Sequence, residues 1–416
     1  MRIAVISDQH FGFDWNGDRA DDPFRNCREA FEKARDADLI LLPGDLFDKK
    51  VPKQEVLGRA IDLFNCFDGE TSSVQLDSDR SDKTVSFRGP PIVAIHGTHE
   101  RRTSDHLNPV ELLEKMGYLV HIHNETLVFS EGDETVAIHG MSGVPERYAP
   151  QVLDRFDPEP VADAYNILML HQSIDQLVYT DPDHDTLSLE RLPEGFDTII
   201  DGHIHWRNLE LKDDDKPVVL PGSTVTTQLN KIEAEREKGM VWIDTETGLS
   251  FDALEEPRDV VYIEEDVSDL SSSEIQEQIE NEIDERSTMD QRRPLVRVKL
   301  SGTTNAAVSV GELETALESK ALISISDETT IPNEDTDDST FDHSEQSVYE
   351  HGTALLEERI DQPAIDDLVT HLADGNVETA RSMLETMVTE HDEETGDSDT
   401  TEKPGSTLKS FVDTDD

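Results

Sequence analysis

The sequence predicts an α/β fold, and two observations predict it. Short apolar runs of strand length recur from Met1 to about Asp244. Amphipathic stretches of helical period lie between some of them.

The runs, in order, are "RIAVIS" from Arg2, "DLILLP" from Asp38, "PIVAIHG" from Pro91, "TVAIHG" from Thr135, "NILMLH" from Asn166, "DTIIDG" from Asp197, "PVVLPG" from Pro217 and "GMVWID" from Gly239. All read as buried strands. Helical patterns occupy Asp22–Arg35 and Lys53–Phe67, and the polar stretch 68–88 reads as a loop insertion. Residues 255–325 mix strands, "DVVYIEED" and "LVRVKLSG", with helices at Ser271–Arg286 and Val310–Ser319, which predicts a smaller α+β unit. From Asp327 to Glu345 there are eight acidic residues and no Lys or Arg, a composition that cannot form a core. Helical periodicity returns over 353–388, with Leu368, Leu372, Met383, Leu384 and Met387 as its apolar positions. The expected division is therefore 1–250, 251–325, an acidic linker 326–352, a helical segment 353–388 and a disordered acidic tail 389–416.

The chain of 416 residues carries 93 Asp plus Glu against 36 Lys plus Arg, a formal net charge of −57. Such a balance repels phosphate in dilute salt. In molar salt the Debye length is only about 3 Å, and dispersed carboxylates then repel little. An acidic, lysine-poor chain is the expectation for a halophilic cytoplasmic protein. Two cysteines, Cys27 and Cys66, give no disulfide framework and no zinc site. No apolar run approaches the ~20 residues of a membrane span.

Five strand ends carry the chemistry. Asp8 and His10 leave the first strand two residues apart, on the same side. Asp45 follows the second, and Thr98 and His99 follow "VAIHG". His171 ends "NILMLH", and His203 and His205 follow "DTIIDG". Ligands of α/β sheets gather at the carboxyl ends of strands, so these groups can converge. A lone strand-end Asp or His is more often a turn former; five in order point to a metal site. Asp and His ligands without cysteine suit Mn²⁺, Fe²⁺ or Zn²⁺, and so many groups predict two ions sharing a carboxylate.

The motifs D-x-H, G-D, G-T-H-E, strand-end H and G-H-x-H resemble the calcineurin-like metallophosphoesterase signature. Within that superfamily "SDQHFG", "GDLFD", "LHQ", "DGHIH", "PGST" and "EREKG" are similar, in order, to double-strand-break repair nucleases of the meiotic-recombination-eleven type. The resemblance implies a metallophosphoesterase αββα sandwich with a smaller α+β cap domain and a helical C-terminal segment. It implies an Mn²⁺-dependent DNA exo/endonuclease with two Mn²⁺ per subunit. Asp8, His10 and His205 would hold one ion, Asp45 would bridge, and Thr98, His171 and His203 would hold the other, with His99 as the catalytic histidine. Its partners would be DNA ends, a Rad-fifty-type SMC-like ABC ATPase on 353–388, and a second copy through helices such as Lys53–Phe67. Rival expectations are a small-substrate phosphodiesterase and a DNA-end scaffold with a weak site.

Two positions depart from the pattern: Thr98 stands for Asn, and Asp48 stands where archaeal relatives usually carry His. Lys49, Lys50, Lys53, Arg101 and Arg102 are expected to rim the site for phosphates. His96, His106, His121, His123, His139 and His184 fit no motif and read as packing or surface histidines. At the C-terminal end, Leu408, Phe411 and Val412 partly resemble a sliding-clamp-binding peptide, with Gly405 in place of its Gln.

Overall fold

Ile3 and Val5 face one side of the first strand and Ala4 and Ile6 the other, and both sides are buried. Strands covered on both faces read as unbroken apolar runs, which is why this one was legible. The computed structural model describes residues 1–331 except 16, 70–71, 84–86, 88, 103–105, 178–186, 214–215, 269, 289–291 and 305–307. Most of the expected linker, the helical segment 353–388, the tail with Leu408, Phe411 and Val412, and His184 lie outside the described residues.

The strands are β1 (Arg2–Val5), β2 (Leu39–Pro43), β3 (Gln75–Leu76), β4 (Ile92–Ile95), β5 (Val120–His121), β6 (Glu125–Glu131), β7 (Glu134–Met141), β8 (Tyr165–Leu170), β9 (Thr198–Asp201), β10 (Asn208–Asp213), β11 (Lys216–Leu220), β12 (Gly239–Asp244) and β13 (Gly248–Ala253). Helices α1 (Asp22–Lys33), α2 (Gln54–Phe64), α3 (Pro109–Lys115), α4 (Ala149–Phe156) and α5 (Lys231–Ala234) fall between them. One sheet has the order β13-β12-β1-β2-β4-β5 and a second the order β10-β11-β9-β8-β7-β6-β3. Ile3, Val5, Leu41, Val93 and Ile95 of the first meet Ile138, Ile167, Met169 and Ile200 of the second in one core. On the far side of the first sheet, Ala4, Ile40, Leu42 and Ala94 pack on Phe24, Cys27 and Phe31 of α1 and Leu63 and Phe64 of α2. On the far side of the second, Leu168, Leu170, Ile199 and Leu220 pack on Leu153 of α4. The layers are therefore α, β, β, α, as expected.

Beyond Ala253 comes a smaller unit of β14 (Val260–Asp266), α6 (Ser272–Arg286), β15 (Leu295–Ser301), α7 (Val310–Leu317) and β16 (Leu322–Asp327). Its three strands are parallel, in the order β14-β15-β16. Ile275, Ile279 and Ile283 form the inward stripe of α6 at a spacing of four. Ser271 and Glu274 close its first turn with a reciprocal capping box.

Three expectations change at the margins. The stretch 68–88 is not wholly loop, because Gln75 and Leu76 pair with Phe129 and Ser130 as a short sheet edge. The first unit runs to Ala253, three residues into the expected cap, because β13 forms a hairpin with β12. The sheet of the smaller unit, in turn, extends to Asp327.

Candidate metal centre

The carboxyl ends of β1, β2 and β4 in one sheet and of β8 and β9 in the other open at the same end of the sandwich. Asp8, His10 and His205 come together there, with His10 Nε2 3.1 Å from His205 Nε2. Asp8 Oδ1 lies 3.7 Å from His205 Nε2 and 4.0 Å from His10 Nε2. Asp45, His171 and His203 form a second group, with Asp45 Oδ2 3.1 Å from His171 Nε2.

The backbone is bent to present these groups. Asp8, His10, Asp45 and His203 have φ of 52°, 49°, 49° and 71°, a region non-glycine residues avoid. Backbone strain of this kind concentrates at functional sites. Close glycines make room: a Cβ on Gly97 would sit 2.1 Å from Asp45 Oδ1, and one on Gly44 would sit 2.3 Å from His171 Nδ1.

Each imidazole is held from behind. His171 Nδ1 donates to Pro43 O at 2.8 Å, which turns Nε2 toward Asp45. Thr227 Oγ1 lies 2.6 Å from His205 Nδ1. Ser173 Oγ, which donates to Glu146, lies 3.2 Å from His203 Nε2. His99 is partly exposed, donates from Nδ1 to Asp48 O at 2.7 Å, and meets His10 edge-on at 4.9 Å. Its backbone nitrogen donates to Asp45 Oδ1 at 2.9 Å.

The charges are concentrated and buried. Burial would lift the Asp45 carboxyl, but His171, then His10 and His99, hold it well below the carboxylate range. Burial would depress His171, but Asp45 and then Asp8 push it up to about 10. Burial lifts Asp8, and Asp45 adds to it. Burial and His171 depress His203 to about 4, and burial and His10 hold His205 well below its ordinary value.

The fold implies divalent metal, and the residues fit one. His171 Nε2 faces the Asp45 carboxylate at 3.1 Å, and Asp8 and Asp45 sit among the imidazoles of His10, His171, His203 and His205. Oxygen and imidazole donors without sulfur suit Mn²⁺, Fe²⁺ or Zn²⁺.

Of the sequence-predicted residues, Asp8, His10, Asp45, His171, His203 and His205 fall in these two groups, and His99 meets His10. Thr98 is exposed, on a loop pinned where a Cβ on Gly143 would lie 3.0 Å from its nitrogen. Lys50, Arg101, Arg102 and His106 line one cleft. Sequence reasoning missed three carboxylates. Asp48, read only as a lost histidine, sets Oδ1 3.6 Å from His10 Nδ1 and 3.9 Å from His99 Nδ1. Buried Glu100 accepts from the nitrogens of Asp45, Phe47 and Gly97, tying the second strand end to the third. Buried Asp201 accepts from Gln172 N at 3.0 Å. All three lie inside quoted motifs, which was the available signal.

Residues 1–207 match the family model for calcineurin-like phosphoesterases. The Methanopyrus kandleri DNA double-strand break repair protein Mre11 is 27% identical over 57% of this chain and 51% of its own. The Arabidopsis thaliana and Homo sapiens double-strand break repair proteins MRE11 are 25% and 23% identical, over 55% and 57% of this chain and 38% of theirs. The chain thus spans about half, or less, of the length of the curated relatives it matches. On its layered fold, its candidate metal-binding groups and this match, residues 1–207 are a calcineurin-like phosphoesterase domain, in a chain similar to double-strand break repair proteins of the Mre11 kind.

Proposed function

We propose that the protein is an Mn²⁺-dependent DNA exo/endonuclease of double-strand-break repair, working with an SMC-like ABC ATPase. One observation carries the reading: groups of Asp and His gather near His99, and Lys50, Arg101 and Arg102, two or three residues along the chain from Asp48 and His99, line one cleft in a chain of net charge −57. Scarce cations gathered at one place favour a polyanion.

Asp8, His10 and His205 would hold one ion, His171 and His203 with Thr98 the other, and Asp45 would be shared by both. Bound there, paired ions supply charge to the phosphodiester and make water a better nucleophile. His99, fixed through Nδ1 on Asp48 O, keeps Nε2 to protonate the leaving oxygen. Lys50, Arg101 and Arg102 place the backbone phosphates. A homodimer through α2 and an ATPase on 353–388 complete the reading.

The test is digestion of linear duplex DNA with Mn²⁺ in concentrated salt, for the intact protein and His99→Ala. Cleavage that falls by about 10²–10⁴-fold in the variant supports it. Turnover of a small phosphodiester without DNA cleavage would favour a small-substrate enzyme. Turnover of neither, with DNA bound, would favour a scaffold.

A further inference from the structure

Behind His205 runs a chain of bonded groups that ends outside the phosphoesterase layers. Thr227, which holds His205 Nδ1, lies on the loop between β11 and α5. Buried Glu233 accepts from Thr227 N at 3.1 Å and Gln228 N at 3.0 Å. Buried Lys238 joins Glu233 at 2.7 Å, Ser223 Oγ at 2.8 Å and His205 O at 3.0 Å. The same loop is gripped from its other side by Arg19, whose Nη2 donates to Thr226 O.

Arg19 is only 2% exposed, so its charge demands a buried partner. That partner is Asp22 Oδ2, 3.2 Å from Arg19 Nε. The same carboxylate takes Arg258 as a fork, Nε at 2.8 Å and Nη2 at 2.9 Å. Arg258 lies two residues before β14, and its Nη1 donates to Arg293 O at the head of β15. Exposed pairs also link the two regions, Arg25 with Glu256 and Lys231 with Glu264. Exposed pairs of that kind contribute little. The buried chain differs because it runs on to the imidazole.

We propose that Thr227 and the Arg19–Asp22–Arg258 chain are positioning residues for His205, so that docking of the β14–β16 unit sets how tightly the Asp8/His10/His205 group holds a divalent cation. The inference rests on the metal reading above. A fork that slips on Asp22 pulls Arg19 from Thr226 O, and the Thr227 hydroxyl then no longer fixes the ring. Partners that orient a ligating imidazole in this way alter metal affinity by about 10–100-fold when removed.

The experiment is calorimetric titration of the full chain with Mn²⁺ alone, followed by the melting temperature of each variant. His205→Ala and His203→Ala assign the two binding steps. Thr227→Val is expected to weaken the His205 step by about 10-fold, and Thr227→Ser to restore it. Arg258→Gln and Asp22→Asn are expected to weaken the same step by about 3–10-fold and leave the His203 step intact, which also shows that the fold survives. Arg25→Gln, at an exposed pair between the same regions, should change neither. Lower melting temperatures with both steps unchanged would reduce the chain to a clasp and overturn the proposal, as would a Thr227→Val protein that binds normally. An intact protein that binds no Mn²⁺ would instead overturn the metal reading beneath it.

Discussion

A cluster of packed histidines and the site residue His171 lie within the same domain, and they behave oppositely. His96, His121 and His123 pack together, with His96 Nδ1 2.9 Å from His121 Nε2 and rings tilted at 5.1 and 5.7 Å. Their rings bond to Ser142 Oγ and the amide of Asn124 rather than to a carboxylate. Burial, then His121, depresses His96 to about 2, and burial with Lys83 depresses His121 to about 3. His171 is buried as completely, yet Asp45 pushes it up to about 10. Burial alone makes an inert imidazole; burial against a carboxylate makes a site that wants a cation.

The harshest way to break that contrast is Asp45→Asn. It removes the charge His171 and His10 face, so Mn²⁺ stoichiometry should fall and DNA cleavage drop by more than about 10²-fold. His121→Asn should leave both within about twofold, since surrounding contacts alone change. Equal losses in calorimetry and digestion would erase the distinction.

The metal-free protein sharpens it through pH. His171 is raised to about 10 from an ordinary 6.5, so its contribution to stability is full below pH 6.5 and is lost as pH rises through about 10. Glu100, lifted to about 8 by burial and Asp45, acts in the same direction, because its neutral form belongs to the fold. Chemical denaturation in chelator should therefore show stability declining from pH 7 to 10. His171→Gln should shrink that decline and Mn²⁺ should flatten it, whereas His121→Asn should leave it as it was.

A smaller effect is expected at Thr98→Asn. If the hydroxyl is a weak ligand, the longer amide tightens the His203 step by several-fold. An unchanged Mn²⁺ midpoint in the activity titration would place residue 98 outside the ligand set. The smallest change is the salt response. With repulsion screened, DNA affinity should stay nearly level between ~0.5 and ~2 M KCl. A steep fall in an anisotropy titration would contradict the screening argument.

Legibility followed burial. Strands such as β1 and β8, covered on both faces, stood out as apolar runs. β13, exposed over "GLS", and β10, with "LELK" in alternation, carried too little apolar signal to separate from loop. The candidate ligands were legible because strand ends place them at fixed offsets. Asp48, Glu100 and Asp201 were not, because a carboxylate beside an apolar run is usually a turn former. Only tertiary approach reveals that Glu100 binds nitrogens 53 and 55 residues away. The chain from Thr227 to Arg258 was equally hidden, since its links join residues up to 236 apart.

The left-handed backbone at Asp8, His10, Asp45 and His203 has a consequence for redesign. Judged by local conformation, glycine is the better residue at all four positions. A procedure that improves stability one residue at a time would therefore replace the candidate ligands first. It would return a calmer, more durable sandwich with its chemistry deleted. These four positions should be frozen before any such optimisation, and the melting temperature is the wrong measure of whether it succeeded.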